Sequence, residues 1–439
     1  MKTRQELQDE AVRTLLENRN LIVAWGTGVG KSRVAVRSAE HIREAGGERI
    51  LLLVAETAHK ANWKNEFLEA LGLERARFVC SHVTVECYAS LEKYEGTSWD
   101  LIIADEAHHL RSDLRTGLLS TLKADYFLAL TATLSEKGDG DELIRTLNAT
   151  FGLFKTLDFN VQAAIDNGIL AEPKIYVHVL PLEEISAPQH VVITWGPFKS
   201  RKEFSCSYEE FVTFIENDRA NNTAVKATVS CTAKQGYDLL TKYLNAAKKD
   251  YDDASHKYAK AEASRDQAGM NKYKWKVQSA KNEWLQYGTH RKALIGESKT
   301  AFSSWLLSKM EGKKYVCFCS SIEQGVELGG ENIIYAERKD NAAVLDDFNN
   351  GSRRSIFAVG MIQEGQNLKG IEAGVIIQLS GKERVFVQKF GRALRSKSPE
   401  QHIVVMNDTQ DVTYYKTAIS GINNDYIHML RYGKGAKTA

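Results

Sequence analysis

The chain has 439 residues, of which 43% are hydrophobic and 26% charged, a composition ordinary for a soluble globular protein. Lys and Arg number 58 against 56 Asp and Glu, so the net charge is +2 and bulk charge neither demands nor excludes a nucleic-acid partner. The length allows about three domains of roughly 150 residues, or two with a large insertion, and only 5 prolines argue against a long disordered linker.

The first residues, MKTRQELQDEAVRTLLENRN, lack an apolar core of signal-peptide type. No window approaches the ~18 apolar residues of a membrane span. The expectation is a cytoplasmic protein that meets no membrane. The 6 cysteines form no CxxC pair, which speaks against a zinc site and for a reducing compartment. Cys317 and Cys319, in YVCFC, alternate onto one face of a strand.

Residues 1–135 alternate helical patterns with the apolar runs LIVAW (21–25), ILLLVA (50–55), DLIIADE (100–106) and YFLALTAT (126–133). Runs of this length between helical stretches predict a parallel sheet buried on both faces. The first run leads into Gly26-Thr27-Gly28-Val29-Gly30-Lys31-Ser32 and then a helical pattern. Strand, glycine loop and helix in that order suit phosphate: glycines let backbone N–H groups turn inward, and the helix N-terminus adds its dipole. Lys31 is placed to reach the β/γ-phosphates of ATP, and the Ser32 hydroxyl to bind Mg2+. A full signature has glycine five positions before Gly30; this chain has Trp25.

The third run ends on Asp105-Glu106-Ala107-His108. Two adjacent carboxylates at a strand's C-terminal end serve Mg-nucleotide hydrolysis. Asp105 would hold Mg2+ through water, and Glu106 would orient and deprotonate an attacking water. A zinc-protease reading fails because HExxH is absent.

Residues 172–230 contain two strand-like runs, KIYVHVLPL and HVVITW, and a basic stretch, PFKSRK, that reads as a loop. Next comes a heptad-like repeat. Leu240, Leu244, Ala247, Tyr251, Ala254, Tyr258 and Ala261 are spaced four and three apart. Tyr273, Val277, Ala280, Trp284, Tyr287, Arg291 and Leu294 repeat that spacing after QAGMN (267–271), which is expected to be the turn. Two such repeats predict an antiparallel helical hairpin with arms of roughly 45 Å at ~1.5 Å per residue. From 242 to 299, Lys and Arg exceed Asp and Glu by 13 to 7, whereas the first 150 residues run 19 against 23. KYKWK (272–276) interleaves lysines with aromatics. Three readings of the hairpin stay open: nucleic-acid contact, protein contact, or inert spacer.

The α/β grammar returns in KYVCFCS (314–320), NIIYA (332–336), RSIFAVG (354–360), AGVIIQLS (373–380) and HIVVMND (402–408). Between the last two, Gln388-Lys389-Phe390-Gly391-Arg392-Ala393-Leu394-Arg395 begins a helical pattern. Arg392 and Arg395 are three apart, hence on one face, and can clamp a γ-phosphate as charge develops. The expected organisation is a first α/β domain over 1–155, a connector with strands over 156–235, the hairpin over 236–300 and a second α/β domain over 301–439.

Phosphate loop, acidic box and arginine box, in this order and spacing, resemble superfamily 2 helicases and translocases. Among these, the phage recombination and replication-restart helicases and the Swi/Snf-type translocases look nearest, and the compact size suits a phage or prophage origin. Gln8 resembles the family's adenine-reading glutamine. VAETAHKANWKNEF, with Trp63 and Glu66, resembles motif Ia, and CYASL (87–91) motif Ib. Thr131-Ala132-Thr133 matches motif III, although Leu134 stands where many relatives have proline. AIDNGILAEPK (164–174) resembles the segment entering the second domain. YVCFCSSIEQ resembles motif IV, Glu364-Gly365-Gln366-Asn367-Leu368 motif V, and the run from Gln388 to Arg395 motif VI.

The resemblance implies two RecA-like domains with ATP and Mg2+ between them. It implies catalytic roles for Lys31, Glu106, Gln388, Arg392 and Arg395, nucleotide contacts at Gln8, Gly26–Ser32, Asp105 and Gly365, and Mg2+ held by Ser32 and Asp105. The implied partner is nucleic acid, with motifs Ia and Ib favouring DNA over RNA. The alternatives are an RNA or hybrid helicase, a protein-remodelling ATPase that uses the hairpin, and a non-catalytic scaffold. Nothing in the sequence signals a dimer.

Overall fold

The computed structural model describes residues 2–111, 117–132, 139–185, 188–196, 200–218, 223–360, 368–379 and 396–433. The first sheet contains β1 (Asn20–Trp25), β2 (Ile50–Val54), β3 (Val83–Cys87), β4 (Ser98–Ala104), β5 (Lys123–Thr131) and β6 (Lys155–Phe159). Its order is β3-β2-β4-β5-β1-β6, and every pairing is parallel. The inner strands are the continuous apolar runs, and Leu21, Ile22, Val23, Leu51, Leu52, Ile102 and Ile103 are all fully buried. Helices cover both faces, so no polar alternation is needed on these strands.

The second sheet holds β7 (Lys174–Leu180), β11 (Tyr315–Phe318), β12 (Ile333–Ile334), β13 (Ser355–Ala358), β14 (Ala373–Ile376), β15 (Glu400–Met406) and β16 (Ile427–Arg431). Its order is β12-β13-β11-β14-β15-β7-β16, again parallel. KIYVHVL therefore lies inside this sheet, between β15 and β16, although about 140 residues separate it from β11 in the chain. Cys317 and Cys319 are buried together, their sulfurs 4.0 Å apart.

A third, small sheet, β8-β10-β9, is made of β8 (Gln189–Trp195), β9 (Lys202–Ser207) and β10 (Val225–Cys231). Lys202, at the end of the expected basic loop, opens strand β9. The hairpin grows from this sheet. Thr232 caps the helix Ala233–Ala263 with a reciprocal bond to Gln235, and the return helix runs Gln267–Ser298. Every expected seam residue is withdrawn from solvent in part or in full. Tyr251 stacks on Trp284 and Tyr243 on Tyr287.

The turn differs from expectation. It is Ser264–Asp266, and QAGMN lies in the return helix. The cause is local: Arg265 takes a left-handed φ of 54°, and the Asp266 carboxylate caps the new helix by accepting from Gly269 N. A side chain at Gly269 would sit 2.3 Å from that carboxylate. At the hairpin root, Tyr287 is 1% exposed. Its hydroxyl donates to Thr194 O at 2.5 Å and accepts from Thr194 N at 3.0 Å. Burial pushes that phenol up to about 12. Among the described residues, no helix is long and apolar enough to cross a membrane.

Candidate functional site

Strand β1 ends on Trp25, which pairs with Phe159 of β6 and is 2% exposed. Trp25 is thus a core residue that closes the strand, and the loop proper begins at Gly26. A Cβ at Gly26 would approach Val161 Cγ2 to 2.7 Å, so only glycine fits there. Gly28 and Gly30 have φ of 91° and 112°, which side chains rarely adopt. Gly30 opens the helix Lys31–Glu44, whose N-terminus no side chain caps. Gln8 is buried against the loop: its Nε2 would lie 2.2 Å from a Gly30 Cβ. Lys31 Nζ donates to the Trp25 carbonyl at 2.8 Å, which folds the ammonium over the loop.

Strand β4 delivers Asp105 and Glu106 at the same end of the sheet, with β5 between β4 and β1. The segments that leave β1 and β4 therefore start at one end of the sheet, the carboxyl end at which parallel sheets bind ligands. Thr131, at the end of β5, is fully buried between them.

The acidic pair is held from several sides. Trp63, 3% exposed on the helix Thr57–Leu71, donates its indole N–H to Asp105 Oδ2 at 2.9 Å. Asp105 Oδ1 accepts from Glu106 N at 3.0 Å. Tyr88, buried in the turn after β3, donates its hydroxyl to Asp105 O at 2.6 Å. Glu106 sits at φ 48°, a left-handed conformation costly for a non-glycine residue. Its Oε2 lies 3.5 Å from Nδ1 of buried His108. The imidazole of His108 packs on His109, which stacks on Tyr88.

Gln8, Gly26–Ser32, Asp105 and Glu106 thus belong to the carboxyl end of the first sheet and its flanking helices. Gly365, Gln388, Arg392, Arg395 and Thr133 lie outside the described residues. The roles of Trp63 and Tyr88 were not legible in sequence. Motifs Ia and Ib pointed to a bound strand, whereas both aromatic side chains turn inward onto Asp105. Glycine cradle, uncapped helix and lysine suit a triphosphate, and the adjacent carboxylates suit its magnesium ion.

Residues 1–136 match the family model described as "Type III restriction enzyme, res subunit". Over 423 residues, 92% of this chain and 82% of the relative, the sequence is 23% identical to the DNA 3'-5' translocase XPB2 of Sulfurisphaera tokodaii. Among solved structures, S. cerevisiae Dbp5 bound to RNA and ADP BeF3 superposes with a TM-score of 0.55 at 12% identity, covering 97% of this chain and 89% of that one. The ATP-dependent Type ISP restriction-modification enzyme LlaBIII bound to DNA gives 0.53 at 10% identity and covers 100% of this chain, which spans 32% of that larger protein. The two solved structures show the fold: two RecA-like parallel-sheet domains.

Proposed function

We propose, from the superfamily 2 architecture this chain carries, that it is an ATP-dependent DNA helicase or duplex translocase. The observation that supports this most is the shared carboxyl end of the first sheet. The phosphate loop after β1 and the acidic pair after β4 lie either side of β5, in a chain that matches an archaeal DNA translocase over 92% of its length. Bound Mg-ATP would supply the phosphoanhydride whose hydrolysis drives motion.

In this reading, backbone N–H groups of Gly26–Ser32 and the Lys31 ammonium bind the phosphates. Gln8, against Gly30, reads the adenine. Ser32 Oγ and the Asp105 carboxylate hold Mg2+, and Glu106 orients and deprotonates the attacking water. The second domain contributes Gly365, Gln388, Arg392 and Arg395. The two arginines neutralise charge on the phosphoryl group only when the domains close, which links hydrolysis to domain motion.

The experiment is displacement of a third strand from a DNA triplex, run beside unwinding of forked DNA and of an RNA duplex. ATP-dependent triplex displacement supports translocation on duplex DNA, and fork unwinding adds strand separation. Activity on the RNA duplex alone contradicts the DNA reading.

A further inference from the structure

Among the described residues, the outer half of the hairpin packs chiefly arm against arm. Between Tyr251 and Ala280 the residues withdrawn from solvent are the seam positions, Ser255 beside them, and Gly269 and Met270 at the start of the return helix. Among the described residues, some 13 residues of each arm, roughly 20 Å at ~1.5 Å per residue, therefore turn mainly seam positions away from solvent. A rod of this kind presents its outer faces to whatever the protein binds.

Those faces differ in charge. Over 250–263 the outgoing arm carries Asp250, Asp252, Asp253 and Glu262 against Lys257 and Lys260. Over 267–282 the return arm carries Lys272, Lys274, Lys276 and Lys281 and no carboxylate at all. All four lysines are exposed. In their midst stands Trp275, 71% exposed. It is not a seam residue: Tyr273 and Val277, on either side, turn inward, and helical geometry turns Trp275 outward. Its own face is lined by Asn271, Lys272, Gln278, Ser279 and Asn282, all exposed and none acidic. An exposed indole among lysines offers a flat face on which a base can stack.

We propose that the distal return arm is a contact for an unpaired nucleic-acid strand, with Trp275 stacking on a base and Lys272 and Lys276 engaging the adjacent phosphates. The chemistry favours this occupant. A flat aromatic face accepts any base, and the flanking cations match a phosphate backbone. The outgoing arm, with carboxylates among its lysines, is the poorer match. Tyr273, Trp284 and Tyr287, the other aromatics of the return arm, are committed to the seam. The contact rests on the translocase reading, because it gives the strand leaving the ATPase core a second point of attachment.

The test is fluorescence anisotropy of the full-length protein with a labelled oligothymidylate across a salt series, beside a thermal melt. Trp275→Ala is expected to weaken binding about tenfold, the scale of one lost base stack, while Trp275→Tyr keeps most of the affinity. Neither should move the melting temperature or the DNA-free ATP hydrolysis. Lys272→Ala/Lys276→Ala is expected to make the slope of log affinity against log salt shallower by about 1.4, two single-strand phosphates' worth. Variants that bind as wild type does, with the same salt slope, overturn the contact and leave the translocase reading standing. A wild-type protein that binds no nucleic acid overturns both.

Discussion

The indole of Trp63 and the carboxylate of Asp105, 42 residues apart in sequence, meet in a 2.9 Å hydrogen bond. The helix that carries Trp63 is the one whose sequence resembles a strand-gripping motif, so a shift of that helix reaches the acid proposed to hold Mg2+. Trp63→Phe keeps the ring in the core and removes the N–H. A hydrogen bond to a charged group contributes about 1.5–3 kcal/mol, so the Mg2+ concentration for half-maximal ATP hydrolysis should rise roughly tenfold with the fold retained. Titration of hydrolysis against Mg2+ checks this. An unmoved midpoint would mean that the indole only fills space.

The second domain contains a different buried charge. Lys299, directly after the hairpin, and Asp411 are both fully buried and paired. Lys299 Nζ also donates to Ile377 O at 2.7 Å and Val404 O at 2.9 Å. Desolvation pulls the lysine below its ordinary range, and Asp411 offsets part of that. The hairpin root is thereby bonded to β15 and to the segment that follows β14. Asp411→Asn, which strands the ammonium, should cost on the order of 3–5 kcal/mol. Lys299→Met/Asp411→Leu should cost markedly less. Denaturant unfolding of both variants decides, and a double variant as unstable as the single one would contradict the account.

Acid should weaken the second domain through His178. Its Nε2 lies 2.9 Å from His402 Nδ1 and its Nδ1 2.9 Å from Tyr432 Oη, while His402 Nε2 lies 2.7 Å from Glu400 Oε1. Burial, reinforced by His402, lowers His178 from 6.5 to about 4. Between these values the unfolded chain binds the extra proton, so this stability is present above pH 6.5 and is lost as pH falls towards 4. The loss is on the order of 3 kcal/mol. Glu400, held at about 2 chiefly by His402, adds a further loss below its ordinary 4.5. The denaturant midpoint should fall across this window, and less steeply in His178→Gln. Equal slopes would remove His178 from the explanation.

The parts legible in sequence were those fixed by local pattern. Central strands β1, β2 and β4 are unbroken apolar runs because both of their faces are covered. The hairpin seam follows from its four-and-three spacing. Edge strands β3, β6 and β16 escaped notice because they are half-exposed and carry polar residues such as Thr84, Lys155 and His428. The pairing of β7 with β15 joins residues more than 200 positions apart, which no periodicity reports. The same holds for the site. The glycine loop and acidic pair are local words, whereas the inward turn of Trp63 and Tyr88 depends on where their elements pack.

Arg392→Ala and Arg395→Ala are each expected to lower ATP turnover by about 10³-fold or more, the scale of a lost arginine finger, with nucleotide binding retained. Single-turnover hydrolysis beside binding of a fluorescent ATP analogue separates the two effects. A loss below tenfold in both variants would place the arginine box outside the hydrolytic step.

Steady-state ATP hydrolysis measured without nucleic acid, with DNA and with RNA tests most directly the proposal that this chain hydrolyses ATP in response to DNA. A low basal rate raised many-fold by DNA is expected. Lys31→Ala should abolish it, and Glu106→Gln should bind nucleotide without turning it over. A rate indifferent to DNA, or wild-type turnover in Lys31→Ala, would contradict the proposal.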